Sequence, residues 1–213
     1  HRDLHSFPTR RSSDLVTGYS SGSIVFNGVP MSANMDRKQA QALGIACIYQ
    51  ELSLIPGMTV AQNIFLGKEP TIRGLGIIDK KKMNAMARAL IEKYGFPLKP
   101  GDYIDQISIA QRQLVEILKA LSDKAHMIIM DEPTSSLTKT EVELLFKIIR
   151  MLKAEGISVV YISHRMEEVY ALSDRVTVLR DGRLVSVLEK GQISPAEIIR
   201  LMIGHQLEEK AVH

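Results

Sequence analysis

Polar side chains suited to phosphate chemistry follow three apolar segments of this chain. Two adjacent acids, Asp131 and Glu132, come directly after a run of four apolar residues. Gln50 and His164 each follow another largely apolar run. Because open α/β sheets bind ligands at the carboxyl ends of their strands, we expect these side chains to converge at one edge of a sheet. The pattern predicts a site that handles a phosphate and a divalent cation.

Each of these polar residues has a side chain suited to a different part of phosphate chemistry. Mg²⁺ prefers oxygen ligands, so Asp131 at a strand end is placed to hold it, with the amide oxygen of Gln50 as a further ligand. Glu132 projects the other way and can orient or deprotonate an attacking water, while His164 is placed to contact the transferring phosphate. An ordinary acidic turn at 131–133 is the alternative interpretation. The equivalent positions of Gln50 and His164 at other strand ends weigh against it.

Strand-like and helix-like segments alternate along the chain. Spacing of apolar residues and capping signals predict helices over 36–43, 59–66, 79–94, 107–121, 138–155 and 195–203. Apolar runs and turn dipeptides predict strands over 23–26, 45–49, 127–130, 157–162, 175–179 and 183–188. The predicted fold is α/β, with a mainly parallel sheet covered on both faces and an antiparallel annex of hairpins.

Composition narrows the class of protein. The chain has 213 residues, 45% of them hydrophobic and 24% charged, as is typical of globular domains. No run approaches the roughly 18 apolar residues of a membrane-spanning helix. The single cysteine, Cys47, excludes an internal disulfide and is interpreted as a small buried hydrophobic residue. The net charge of +3 is small, and the densest basic run, at 80–82, opens a predicted helix, so no nucleic-acid partner is predicted.

Residues 1–15 do not fit the pattern of the rest. They show neither a helical nor a strand period and no apolar signal-peptide core. Residues 5–15 also match one reading frame of a common sequencing adapter. We therefore expect 1–15 to be non-native sequence, and a native N-terminal arm is the alternative.

Five motifs together resemble those of ATP-binding-cassette (ABC) ATPases and appear in that family's order. They are Tyr49-Gln50-Glu51 (Q-loop), Ile107–Gln111 (signature loop), Met127–Thr134 (Walker B), Ser135–Thr138 (D-loop) and His164 (switch histidine). The segments 49–67 and 107–121 are similar to the ATPases of bacterial monosaccharide importers. In the signature loop, Ile109 and Ala110 stand where the family has glycines, which let backbone N–H groups approach a phosphate.

The resemblance implies a P-loop NTPase-like core over 16–213, with a helical subdomain over about 57–124. It implies ATP and Mg²⁺ as cofactors. The implied catalytic residues are Glu132 and His164, and Asp131 and Gln50 are the implied metal ligands. The implied nucleotide contacts are Gln50, Asp131 and the signature residues Ser108, Ile109, Ala110 and Gln111, the last four facing ATP held by a second half.

The motif Gly-x-x-x-x-Gly-Lys-Ser/Thr, which cradles phosphates in this family, does not occur in the sequence. We therefore expect a fragment, equivalent to the first ATPase half of a longer protein. The implied function is ATP hydrolysis that powers carbohydrate import. The implied partners are transmembrane permease subunits, a second ATPase half and, indirectly, an extracytoplasmic sugar-binding protein, with the chain peripheral at the cytoplasmic membrane face.

Two other functions are alternatives to this one. A non-catalytic module that docks on a permease or a partner ATPase is favoured by the missing phosphate loop. An ABC ATPase acting on DNA or ribosomes is disfavoured, because the sequence carries no coiled-coil or basic insertion.

Overall fold

The computed structural model describes residues 21–50, 52–72 and 76–203. These residues divide into two compact units, 21–162 and 163–203. The predicted non-native segment 1–15 lies outside the described residues. The predicted boundaries 16–213 and 57–124 stay predictions.

The described residues contain strands and helices in alternation. The strands are β1 (Ile24–Phe26), β2 (Val29–Met31), β3 (Ile45–Ile48), β4 (Met127–Asp131), β5 (Ser158–Ile162), β6 (Arg175–Arg180) and β7 (Arg183–Glu189). The α-helices are α1 (Arg37–Ala42), α2 (Val60–Ile64), α3 (Lys80–Tyr94), α4 (Ile109–Ser122), α5 (Lys139–Ala154), α6 (Met166–Leu172) and α7 (Pro195–Ile203). Every predicted helix and strand is present, with ends within two residues of the prediction, whereas β2 and α6 were not predicted.

A parallel sheet of β3, β4 and β5, in that order, organises the unit 21–162. Ile48 of β3 lies opposite Met130 of β4, and Asp131 of β4 lies opposite Ile162 of β5. The predicted parallel sheet is therefore confirmed. A short antiparallel hairpin of β1 and β2 belongs to the same unit, and its turn at Asn27 and Gly28 uses two positive φ angles, as hairpin turns of this length require.

The two faces of the parallel sheet differ in burial. Ile48, Ile128 and Met130 share one face and are buried. On the other face, Val160 and Ile162 of β5 are 42% and 38% exposed, because the described residues cover this face only in part. The prediction that both faces are covered therefore holds for β4 better than for β5.

Gly44 fixes where β4 begins beside β3. Its carbonyl accepts hydrogen bonds from the N–H groups of His126 (2.7 Å) and Met127 (3.0 Å). Its φ of +86° is one that only glycine adopts without strain. A Cβ atom here would lie 2.7 Å from the His126 ring. The parallel register thus begins at a close contact between two backbones.

A side-chain cluster joins the ends of α3 and α5. Lys93 donates to the Glu155 carboxylate at 2.9 Å, and the Tyr94 hydroxyl donates to the same oxygen at 2.9 Å. The hydrogen bond from Lys93, followed by the one from Tyr94, lowers the pKa of Glu155 below its ordinary value of 4.5. The cluster connects the helical segment that precedes α4 to the helix that leads into β5.

The unit 163–203 is a hairpin of β6 and β7 packed with α6 and α7. Its core consists of Val169, Val178, Leu188, Ile193 and Ile198. The predicted hairpin and final helix are confirmed. Helix α6 escaped prediction because it is short and its first residues lack a side-chain cap.

We expect Gly44→Ala to destabilise the chain more than Gly67→Ala. Both glycines have a positive φ, so each alanine introduces backbone strain, but a Cβ at Gly67 meets nothing within 4 Å. Crowding against His126 should add about 1–3 kcal/mol to the free-energy loss at Gly44. Urea unfolding of the two variants measures the difference. Equal losses would show that the contact with His126 relaxes freely.

We expect Glu155→Gln to lower the melting temperature near neutral pH and to have little effect in acid. The depressed pKa of Glu155 means that its ionised form is stabilised by folding above pH 4.5, and that this stabilisation is lost as pH falls through the folded pKa. Melting curves across this range measure the loss. Glu143→Gln, at an exposed position of α5, is the matched control. Its melting temperature should differ little from that of the parent chain at any pH in this range.

Candidate functional site

The parallel sheet places two predicted site residues at one edge. Asp131 is the last residue of β4, and Gln50 lies two residues beyond β3. Because β3 and β4 run in parallel and in register, their carboxyl ends lie side by side. Asp131 is half-buried and Gln50 is exposed. The edge therefore offers a carboxylate held by a strand and an amide on the adjoining loop.

Glu132 turns the chain sharply away from β4. Its φ is +44°, a left-handed conformation that costs a residue with a side chain about 1–2 kcal/mol. Its N–H donates to the carbonyl of Ile162 at 2.9 Å, which extends the ladder to β5 by one bond. The Glu132 side chain is half-buried, and its predicted projection away from Asp131 stays a prediction.

His164 is the second residue after β5 and belongs to the unit 163–203. His164 is exposed, whereas the side chains on either side of it, those of Ser163 and Arg165, donate hydrogen bonds to the buried Glu168. The Ser163 hydroxyl donates to Glu168 at 2.9 Å and accepts from the N–H of Arg165 at 3.0 Å. The backbone on both sides of His164 is therefore held by its own unit.

The predicted signature residues form the beginning of a helix. Ser108 caps α4: its hydroxyl accepts from the N–H of Gln111 at 3.2 Å, and the Gln111 side chain accepts from the N–H of Ser108 at 3.0 Å. Ile109 is exposed and Ala110 is buried in the first turn. The helix starts two residues later than predicted, because Ser108 and Gln111 form a capping box. This Ser-x-x-Gln spacing was visible in the sequence and was missed.

The cap of α4 lies beside the beginning of α5. The Ser108 hydroxyl donates to Glu141 at 3.5 Å. The other oxygen of that carboxylate accepts from the Thr138 N–H and hydroxyl, both at 2.9 Å. The Thr138 hydrogen bonds, with a smaller contribution from Ser108, lower the pKa of Glu141.

Two residues of α4 that the sequence reading missed contact the loops around the site. The amide nitrogen of Gln113 donates to the carbonyl of Pro133, the residue after Glu132. The Glu116 carboxylate accepts from the N–H of Ser53 at 2.8 Å and from its hydroxyl at 2.9 Å. Glu116 stands inside the apolar run 114–118, and a charge at such a place was a sequence signal for a buried polar contact.

The oxygen donors at the sheet edge suit a hard cation. Mg²⁺ is usually held by one or two carboxylates together with phosphates and waters, and the Asp131 carboxylate and the Gln50 amide oxygen fit that role. Across the described ranges, no three His, Cys, Asp or Glu side chains form a group that could hold a metal ion by themselves. In those same ranges, none of the helices combines the length and apolar character needed to cross a bilayer. The assigned roles of the site residues stay predictions.

We expect Ser108→Ala to destabilise α4 by about 0.5–2 kcal/mol, because it removes the oxygen that caps the Gln111 N–H. Ser108→Asn, which restores a capping oxygen, should recover most of this loss. Urea unfolding followed by circular dichroism measures both variants. If alanine and asparagine gave the same stability, the capping role of Ser108 would be contradicted.

Comparison with sequence families yields one clear match. The family described as ABC transporter matches residues 13–135, more than half of the chain. The ribose import ATP-binding protein RbsA of Rhodococcus jostii is 47% identical over 192 residues, covering 90% of this chain and 38% of that protein. RbsA 1 of Streptomyces avermitilis is 49% identical over 173 residues, covering 81% and 33%. The chain thus spans only about a third to two fifths of the length of these relatives.

Solved structures show the same fold. The ADP conformation of MJ1267, an ATP-binding cassette of an ABC transporter, superposes with a TM-score of 0.71 at 22% identity, covering 90% of this chain and 82% of that one. A dimeric post-hydrolysis state of the cassette MJ0796 with ADP and Pi gives 0.66 at 20% identity, covering 83% and 77%. The predicted α/β cassette fold is confirmed.

Proposed function

The chain belongs to the ABC transporter family, and we propose that it is an ATP-binding and ATP-hydrolysing part of a carbohydrate importer. The observation that carries the proposal is the pair Asp131 and Glu132 at the carboxyl end of β4, with β3 and Gln50 beside it. The identity of 47% to a ribose import ATP-binding protein over most of the chain supports the carbohydrate class of cargo.

In the proposed site, the Asp131 carboxylate and the Gln50 amide oxygen would hold Mg²⁺ when ATP is bound. The bound ion supplies positive charge that offsets the charge spread over the transferring phosphoryl group. Glu132 orients the attacking water and accepts its proton, and His164 contacts the phosphate from the segment after β5. Phosphoryl transfer needs little covalent chemistry from the protein, so these residues act mainly by position and charge.

The signature residues serve a different nucleotide in this proposal. Ser108 and Gln111, together with the backbone of Ile109 and Ala110, close over ATP held by a second ATPase half. The dimeric MJ0796 cassette with ADP and Pi supports such a pairing of halves. The proposed partners are this second half, transmembrane permease subunits and, indirectly, an extracytoplasmic sugar-binding protein. The proposed location is the cytoplasmic face of the membrane.

A non-catalytic module that docks on a permease or partner ATPase is the second candidate function. It is favoured by one observation: the sequence contains no Gly-x-x-x-x-Gly-Lys-Ser/Thr loop. That loop supplies backbone N–H groups to the phosphates and a lysine to their terminal oxygens. Nucleotide binding by the chain, with and without such a loop, therefore separates the two functions.

We expect the chain as printed to bind Mg·ATP weakly, and an extended chain to bind it well. The extended chain is residues 16–213 preceded, in place of residues 1–15, by a segment that carries the Gly-x-x-x-x-Gly-Lys-Ser/Thr loop. The reason is that Asp131 and Gln50 alone leave most phosphate oxygens without donors. Isothermal titration with Mg·ATP measures both affinities. Micromolar binding by the chain as printed would contradict this expectation of weak binding, and no binding by the extended chain would contradict the proposed function.

We expect Glu132→Gln in the extended chain to lower kcat for ATP hydrolysis by about 10²–10⁴-fold, because the amide cannot accept a proton from water. Affinity for Mg·ATP should change little, since the two side chains have the same shape. Steady-state phosphate release and titration measure the two quantities. Glu143→Gln, on the exposed face of α5, is the matched control, and unaltered turnover in Glu132→Gln would remove Glu132 from the proposed mechanism.

A further inference from the structure

Helix α4 carries two polar side chains that contact two different loops of the proposed site. Gln113 and Glu116 are three residues apart, so they lie on neighbouring parts of one helix face. Gln113 contacts the loop after β4, and Glu116 contacts the loop after β3. Ser108 caps the beginning of the same helix. One rigid element therefore connects the predicted signature residue to both loops.

Glu116 is a buried carboxylate with a specific partner. It is only 6% exposed, and the four residues around it in the helix, 114, 115, 117 and 118, are buried and apolar. A charge in such surroundings is tolerated only when it is hydrogen-bonded. One Glu116 oxygen accepts both the N–H and the hydroxyl of Ser53, three residues after Gln50. The chain that follows Gln50 is thereby tied to α4.

Gln113 holds the other loop at an energetic cost. Its amide nitrogen donates to the carbonyl of Pro133, while its own buried oxygen has no hydrogen-bond partner within the described part of the chain. Such an unmatched acceptor costs about 1–3 kcal/mol. A leucine of similar size would avoid this cost. The hydrogen bond from Gln113 to Pro133 is therefore better explained by its holding the loop after β4 in place than by a gain in stability.

The backbone around Glu132 is held by hydrogen bonds on both sides. On one side, the N–H of Glu132 is bonded to the carbonyl of Ile162. On the other side, the next carbonyl, that of Pro133, is bonded to Gln113. The strained φ of Glu132 thus lies between two anchors, one on β5 and one on α4.

We infer that Gln113 and Glu116 are positioning residues that lock the loops of Glu132 and Gln50 to the helix that Ser108 caps. This inference rests on the proposed function. Any displacement of Ser108, when the signature end closes on a second half, moves α4 and with it both loops. The water-orienting group and the metal-holding loop of one site are in this way coupled to the nucleotide of the other.

Amide hydrogen exchange on the chain as printed tests the physical contact. Glu116→Ala should raise the exchange rate at the Ser53 N–H by at least about tenfold, since the bond to a buried carboxylate is lost. Glu116→Gln retains an acceptor oxygen and should keep much of the protection. Lys119→Ala, on the same helix and with no described hydrogen bond to either loop, should leave Ser53 protected. Unaltered exchange in Glu116→Ala would overturn the inference.

ATPase kinetics of the extended chain test the functional consequence. Gln113→Leu and Glu116→Ala should each lower kcat by about 10–100-fold while KM for ATP stays within about twofold, because misplacement of the reacting groups affects the transition state most. Lys119→Ala should match the parent. Parallel changes of kcat, KM and melting temperature would indicate a purely structural role and overturn the inference. Failure of the proposed function would differ from both, because the parent itself would then hydrolyse no ATP.

Discussion

Strand β4 is hydrogen-bonded on both sides, to β3 and to β5, and this double pairing determines where the site can form. Its register is set at the start by the Gly44 carbonyl and at the end by the bond from Glu132 to Ile162. A slip by one residue would turn Ile128 and Met130 out of the core. The burial of these two side chains therefore fixes Asp131 at the sheet edge, and the position of the acid follows from the packing of its neighbours.

Helix α4 holds the loops that follow β3 and β4, which the sheet alone cannot do. Strand ends are rigid, but apart from the bond from Glu132 to β5, the described residues that directly follow β3 and β4 belong to no strand. The side chains of Glu116 and Gln113 supply bonds to these segments from a helix whose remaining buried residues are apolar. Packing of the apolar face holds the helix in place, and the two polar side chains extend that rigidity to the loops.

The sequence predicted the elements better than the contacts between them. Period and capping signals located the helices, and apolar runs bounded by turn dipeptides located most of the strands, because these signals are local. The tie between Ser53 and Glu116 joins residues 63 positions apart, so no local period reports it. The positive φ of Glu132 also lacked a signal, since its residue type favours no left-handed conformation. The family's motifs supplied the candidate site residues, but they drew attention away from the capping role of Ser108, which its Ser-x-x-Gln spacing indicates.

Two local energetic costs concern the loop after β4: one lies in the loop, at Glu132, and the other on α4, at Gln113, whose amide contacts the loop. The left-handed Glu132 costs about 1–2 kcal/mol and the unmatched oxygen of Gln113 about 1–3 kcal/mol, against a total stability of about 5–15 kcal/mol for a domain. Independent defects of this size would be removed easily by glycine at one position and leucine at the other. Glycine would delete the carboxylate, and leucine would release the Pro133 carbonyl. Both costs are thus linked to the placement of the same side chain, as expected where a loop is held for chemistry rather than for stability.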